Sequence, residues 1–315
     1  MSFRAKRGIY FSFLKVGGDS WISTRGLRAI VITASFTVTQ NQKSELPHKI
    51  GRYKILERVY ETRWEDLYHA RDSRSGERVS LKAICSSLPA QEQERLFTNE
   101  SHALKVLTHP NIVHFLDAGG EPGHYHIAVE PLDGTNLREI VEEERPLPLK
   151  QKLEIIAQVA DALEFAHKGG ILHRTLMPRE IVLKPDGTVK IHGFHLCRVI
   201  HDLNPRNTAY FVAKLRYPAP EQVRGEAADS RADIFSLGAV LYELLCFMPP
   251  FGEPNIATVL VKIVAAAPEP LEIYLPRPPA ALVAIVDRAL AKRPGDRYQT
   301  AAHLARDLRS LANTL

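Results

Sequence analysis

Candidate catalytic residues gather in one run, ILHRTLMPREIVLKPDGTVKIHGFHLCR, residues 171–198. Its rhythm is a loop, a β-hairpin and a second loop, the layout of a phosphoryl-transfer centre. Such a centre needs a carboxylate base, a cation beside the transferring group and oxygen ligands for a metal. The positions that should supply them hold Thr175, Met177, Glu180 and Gly193. A threonine hydroxyl cannot accept a proton as a carboxylate does, a thioether carries no charge, and glycine offers no ligand. The run reads either as a transfer site stripped of its catalyst or as a coincidence of pattern.

The elements needed to position such a site are visible on both sides of it. Upstream, RYKILERV, DLYHARD and RVSLKAI read as strands, and strand alternation puts Ser80 and Lys82 on one face. QEQERLFTNESHALKVL reads as an amphipathic helix with Leu96, Glu100, Leu104 and Leu107 along one side. Two further apolar runs, IVHFLDAG and YHIAVEPL, bring the count to about five strands and one helix by residue 132. Beyond Asp133-Gly134 the chain is mainly helical. Leu149, Leu153, Ile156, Ala160 and Leu163 form one stripe that stops at Gly169-Gly170, Pro185-Asp186-Gly187 turns a short hairpin, and helices follow near 231–247, 279–291 and 299–312. A sheet-rich half joined to a helical half predicts two lobes with a cleft between them, where a ligand is expected.

Composition narrows the function classes. Residues 1–50 hold eight Lys/Arg against two Asp/Glu, whereas the remainder holds 33 against 34, so the net charge of +5 belongs to the leader. That distribution excludes a nucleic-acid-binding body. Cys85, Cys197 and Cys246 lie too far apart in sequence for a metal motif or a disulfide framework, and a reducing cytoplasm is expected. The apolar segment Ala29 to Val38 is ten residues long, short of the roughly 20 that a membrane span needs. The leader reads as a flexible or weakly strand-forming extension.

Several ordered motifs now carry a resemblance. Val79-Ser80-Leu81-Lys82, Glu100, His109-Pro110-Asn111, His173-Arg174-Thr175, Gly193-Phe194-His195, Tyr217-Pro218-Ala219-Pro220-Glu221, Asp233 to Gly238 and Arg293 to Tyr298 follow one another as in a bacterial-type serine/threonine protein kinase domain. From about 52 to 312 the chain resembles a degenerate, pseudokinase-like member of that family. The resemblance implies an α+β, two-lobed protein-kinase-like fold: residues 51–132 form a small, mainly antiparallel-sheet lobe with one main helix, residues 133–315 a larger helical lobe, and residues 1–50 the extension.

It also implies roles. Lys82, Glu100 and Leu132 sit where a nucleotide would be held, although Lys82 and Glu100 could equally be a structural pair. Leu104, Phe115, His173 and Phe194 would stack as a spine joining the lobes, Asp233 would anchor the loop after His173, and Glu221 would pair with Arg297. Thr175, Met177, Glu180 and Gly193 are the degenerate catalytic positions. The loop that should carry three glycines reads Tyr60-Glu61-Thr62-Arg63-Trp64-Glu65, where Glu61 and Glu65 are expected to repel a polyphosphate. Glu180 is expected to be solvated rather than to hold a cation, Asp186 to serve the turn, and His192 and His195 to have no ligand role. Lys214 could replace the charge missing at Met177. Thr208 and Tyr210 could accept phosphate that pairs with Arg174.

The expected function is a signalling scaffold or allosteric partner without phosphotransfer, with no cofactor beyond weak ATP binding and no metal. Its expected partners are other signalling proteins, an active kinase among them, with neither nucleic acid nor a stable membrane span. The alternatives are a phosphotransferase using Glu180 or Lys214 in altered roles, and a nucleotide sensor. A cleft filled by Tyr60 or Trp64 would favour the scaffold.

Overall fold

The protein is described by a computed structural model that covers residues 46–62, 65–174, 176–194 and 216–315, with the backbone alone for 2–4, 10–15 and 21–23. The chain divides into two units, Met1–Glu45 and Leu46–Leu315. In the first, β1 (Ser2–Arg4), β2 (Tyr10–Lys15) and β3 (Trp21–Ser23) pair as an antiparallel meander.

The second unit opens with a six-stranded antiparallel sheet in the order β4-β5-β6-β7-β9-β8. Its strands are β4 (Lys49–Ile50), β5 (Tyr53–Glu61), β6 (Glu65–Asp72), β7 (Arg78–Ile84), β8 (Phe115–Gly119) and β9 (His126–Val129). The sheet starts just before residue 51 because Gly51 takes φ of +53°, a left-handed turn suited to glycine, and folds β4 back onto Tyr53 and Lys54. Helix α1 (Ala90–Val106) buries Leu96, Glu100 and Leu104 against this sheet, as the sequence pattern predicts.

The larger lobe is helical. A short sheet of β10 (Thr135–Asn136), β11 (Ile181–Leu183) and β12 (Val189–Ile191) sits beside α2 (Leu137–Glu142) and α3 (Leu149–Lys168). After them come α4 (Pro220–Val223), α5 (Ser230–Cys246), α6 (Ile256–Ala265), α7 (Ala280–Ala289) and α8 (Ala301–Ala312). Helix α5 is buried around its whole circumference, from Ala232 to Cys246, and forms the centre of the lobe.

Helix α6 was not expected from sequence. Ile256, Thr258, Val259, Val261, Ile263 and Val264 are β-branched and disfavour helix. The Asn255 side chain accepts from the Ala257 amide at 2.8 Å to start the helix, and Val259 and Ile263, four residues apart, bury one face. Tertiary burial outweighs propensity there. One continuous core runs from Leu67 and Leu104 through Phe194 to Leu308, so the two lobes share an interior. Among the described residues, no helix is long and apolar enough to cross a membrane.

Candidate functional site

The site forms between β6, β7 and α1 on one side and the segments around residues 173–194 on the other. On β7, Ser80 and Lys82 alternate onto one face, and Lys82 lies opposite Leu67 of β6. Glu65, two residues before Leu67 on the same face, is therefore Lys82's diagonal neighbour, within reach of a long side chain. The β5–β6 turn fixes its position: the Thr62 amide donates to the Glu65 carbonyl at 3.0 Å, and the Thr62 hydroxyl accepts from the Glu65 amide at 3.0 Å.

Lys82 is held by two carboxylates. Its Nζ lies 2.6 Å from Glu100 Oε1 and 3.1 Å from Glu65 Oε2, and all three residues are at most 5% exposed. Burial alone would depress the ammonium pKa, but Glu100 and then Glu65 outweigh it and hold the value above that of an ordinary lysine. Tyr60 secures the arrangement: its hydroxyl donates to Glu65 Oε1 at 3.2 Å, while the Arg179 guanidinium lies 5.5 Å from the Tyr60 ring centre. Of the two loop carboxylates expected to face a polyphosphate, Glu65 is paired with Lys82. Glu65 turns into the cleft because the tight turn presents it to the Lys82 ammonium. Glu61 stays exposed and pairs with Arg58 at 2.6 Å.

Leu132 lies where the two lobes join. Its backbone amide donates to the Ser80 hydroxyl at 2.9 Å, so its one donor is engaged inside the protein. The space lined by Lys82, Glu100, Leu132, Leu67 and His192 amounts to about 10 Å³. That is roughly one water, against the roughly 300–1,000 Å³ of small-molecule pockets. Beside it, burial and then the Lys82 charge push the His192 imidazole down to about 3.

Glu180 ends a single 3-10 turn, Pro178–Glu180, and its carboxylate accepts from the Met177 amide at 3.2 Å. It is 3% exposed, so the expected solvation is corrected. The chain supplies the reason: the His192 amide donates to the Glu180 carbonyl at 3.0 Å, and Gly193, at φ of +82°, passes directly over the Glu180 side chain. A Cβ on Gly193 would meet Glu180 Cδ and Oε1 at 3.0 Å. Glu180 thus fills the ground from which a metal-binding side chain at 193 would project. Met177 is buried in the core.

The scaffold residues are close together. The His173 and Phe194 rings lie 4.7 Å apart, Leu104 and Phe194 belong to the common core, and Phe115 packs half-buried against it. Asp233, buried at the start of α5, accepts from the His173 amide at 2.8 Å, from the Arg174 amide at 2.7 Å and contacts His167 Nε2 at 2.7 Å. Burial alone would raise its carboxyl pKa, but His167 and then His173 hold it below the ordinary value. Arg174, at φ of +65°, is kept in that uncommon conformation by these bonds. Arg297 and Glu221 are buried against each other. Asp186 serves the hairpin turn, accepting from the Thr188 amide at 2.9 Å.

Thr175, Trp64, His195, Thr208, Tyr210 and Lys214 lie outside the described residues. Sequence reasoning missed Glu65 as the partner of Lys82, Ser80 as the partner of Leu132 and the burial of His192. Strand period could have revealed the first two, since 65 and 67, and 80 and 82, share faces.

As arranged, Lys82 is paired with Glu100 and Glu65, the Leu132 amide with Ser80, and the Glu180 carboxylate with the Met177 amide. Comparison with known proteins places the chain nonetheless. The protein kinase domain family matches residues 65–307. The serine/threonine-protein kinase PknB of Mycobacterium leprae is 35% identical over 269 residues, 83% of this chain and 43% of that protein. PknB of Mycobacterium tuberculosis strain H37Rv is 36% identical over the same share of each chain. A probable serine/threonine-protein kinase of Streptomyces coelicolor is 32% identical over 84% of this chain and 40% of its own. The chain thus spans less than half the length of these relatives. With the match running from residue 65 to residue 307, across both lobes, the chain belongs to the protein kinase domain family.

Proposed function

We propose that this chain is a pseudokinase: a kinase-fold protein that transfers no phosphate and acts by binding, as a scaffold or allosteric partner of other signalling proteins in the cytoplasm, an active kinase among them. The observation that carries the reading is the contact between Gly193 and Glu180. The position that would bind metal has no side chain, and Glu180 stands where one would project. Met177 adds the loss of a cation, and Thr175 that of a base. A base typically contributes about 10²–10⁴ in rate, and metal and electrostatic positioning supply much of the rest, though such losses do not add.

The names of the relatives support a second reading, an ATP-dependent serine/threonine protein kinase working by altered roles. The Lys82–Glu100 pair at 2.6 Å and the His173 and Phe194 rings packed 4.7 Å apart favour it. Radiolabelled ATP turnover by the purified protein, beside a Lys82→Ala control, separates the two. The pseudokinase shows no incorporation into itself or generic protein substrates. Stoichiometric incorporation lost in the control would establish the kinase instead.

A further inference from the structure

We propose that the nucleotide cleft is sealed by the chain's own side chains: Glu65 takes the place of phosphate at Lys82, Ser80 takes the place of a ligand acceptor at the Leu132 amide, and helix α1 is thereby held inward by the protein itself. This rests on the pseudokinase reading and specifies how its site is regulated. The excluded ligand class is nucleoside polyphosphates, with or without a divalent metal.

Charge makes the first half of the case. One ammonium and two carboxylates in a shielded site sum to −1, so an arriving polyphosphate meets a net negative cluster rather than a free lysine. To reach Nζ it must displace Glu65, whose carboxylate would then remain buried without its cation, a costly state. Glu65 is also fastened from other directions. The Tyr60 hydroxyl holds its second oxygen, the Thr62 turn fixes its backbone, and Arg179 approaches Tyr60 from the opposite lobe.

Hydrogen-bond inventory makes the second half. A backbone amide has a single proton to donate, and that of Leu132 is directed at the Ser80 hydroxyl, which is itself fully buried. A base entering beside Leu132 would have to break this bond and leave the hydroxyl to find another partner. The two plugs sit on the same face of one strand pair, on either side of the Lys82–Leu67 register position, so they close the phosphate end and the base end of the same cleft. Because Lys82 reaches Glu100 and Glu65 at once, α1 is tied to the sheet by a three-member cluster that requires no ligand. A partner that reads the exposed side of α1 would therefore meet one state of this helix whatever the nucleotide level.

The test uses the full chain. Melting curves of wild type with millimolar ATP, with and without magnesium, should coincide with the curve without nucleotide, since only a binder moves the midpoint by mass action. The Glu65→Gly/Ser80→Ala double variant should gain both a melting shift with ATP and binding of a fluorescent ATP analogue. A folded double variant that gains neither would overturn the proposal, as would a wild type whose melting rises with ATP. Hydrogen exchange at the Leu132 amide provides a measurement that does not depend on the double variant folding. It should be slow in wild type, unchanged by ATP and faster in Ser80→Ala; equal exchange in the two proteins would also overturn it. Radiolabel transfer on the same samples keeps the two readings apart. A wild type that binds ATP without transferring it breaks the seal and leaves the pseudokinase intact, whereas transfer by wild type removes the pseudokinase reading itself.

Discussion

Arg297 and Glu221 meet in a bidentate ion pair, 2.7 Å at both contacts, with each residue at most 3% exposed. The remaining guanidinium protons reach the carbonyls of Ala291, Arg231 and Lys292, and the Phe235 ring lies 5.0 Å below. One side chain thus ties α4, the start of α5 and the α7–α8 connection together. Arg297→Ala leaves Glu221 buried and uncompensated and should cost about 3–5 kcal/mol in urea denaturation. Arg297→Lys should recover only part of this, because an ammonium cannot reproduce the fork. A midpoint equal to wild type in the alanine variant would refute the assignment.

Restoring a carboxylate at position 193 should harm the protein rather than revive it. Gly193→Asp places a Cβ 3.0 Å from Glu180 at φ of +82°, and the backbone term alone is about 1–3 kcal/mol. Thermal melting should fall, and Glu180→Ala in the same chain should return part of the loss by clearing the neighbour. Neither Gly193→Asp nor its combination with Thr175→Asp should gain phosphotransfer in a radiolabel assay.

His192 predicts a pH dependence. Its folded value is about 3 and its unfolded value 6.5, so between these limits the unfolded chain binds a proton that the native state refuses. Stability is therefore greatest above about pH 6.5 and falls as pH drops toward 3, by on the order of 3–5 kcal/mol. Urea titrations at pH 7 and pH 5 should show a smaller difference in His192→Leu than in wild type.

Asp233 acts in a lower window. Its folded carboxyl pKa is depressed, so its contribution is complete above the ordinary carboxylate value of about 4 and is lost as pH falls through the folded value. Asp233→Asn keeps the shape but cannot accept equally from both amides. Hydrogen exchange at the His173 and Arg174 amides should accelerate by roughly tenfold, the equivalent of about 1.4 kcal/mol per lost charge-assisted bond. Unchanged exchange at both would sink the anchoring role.

The two-lobed α+β fold and most of its elements are legible in the sequence, because period two and period 3.6 are local properties of the chain. The amino-acid pattern also places the key side chains. It put Lys82 on the inner face of a strand and Glu100 on the buried side of a helix. The missing carboxylates at 175 and 193 and the missing cation at 177 are equally matters of residue identity. How the remaining charges are matched depends on the fold. In one dimension Glu65 is only a carboxylate in a loop; the Thr62 turn makes it the diagonal neighbour of Lys82, and it pairs with that buried ammonium. Glu180 looks solvated until Gly193 folds over it. Helix α6, rich in β-branched residues, has no local helix signal until Val259 and Ile263 find the core. In each case the deciding energy is burial or pairing with a residue distant in sequence or across a turn, which no local pattern contains.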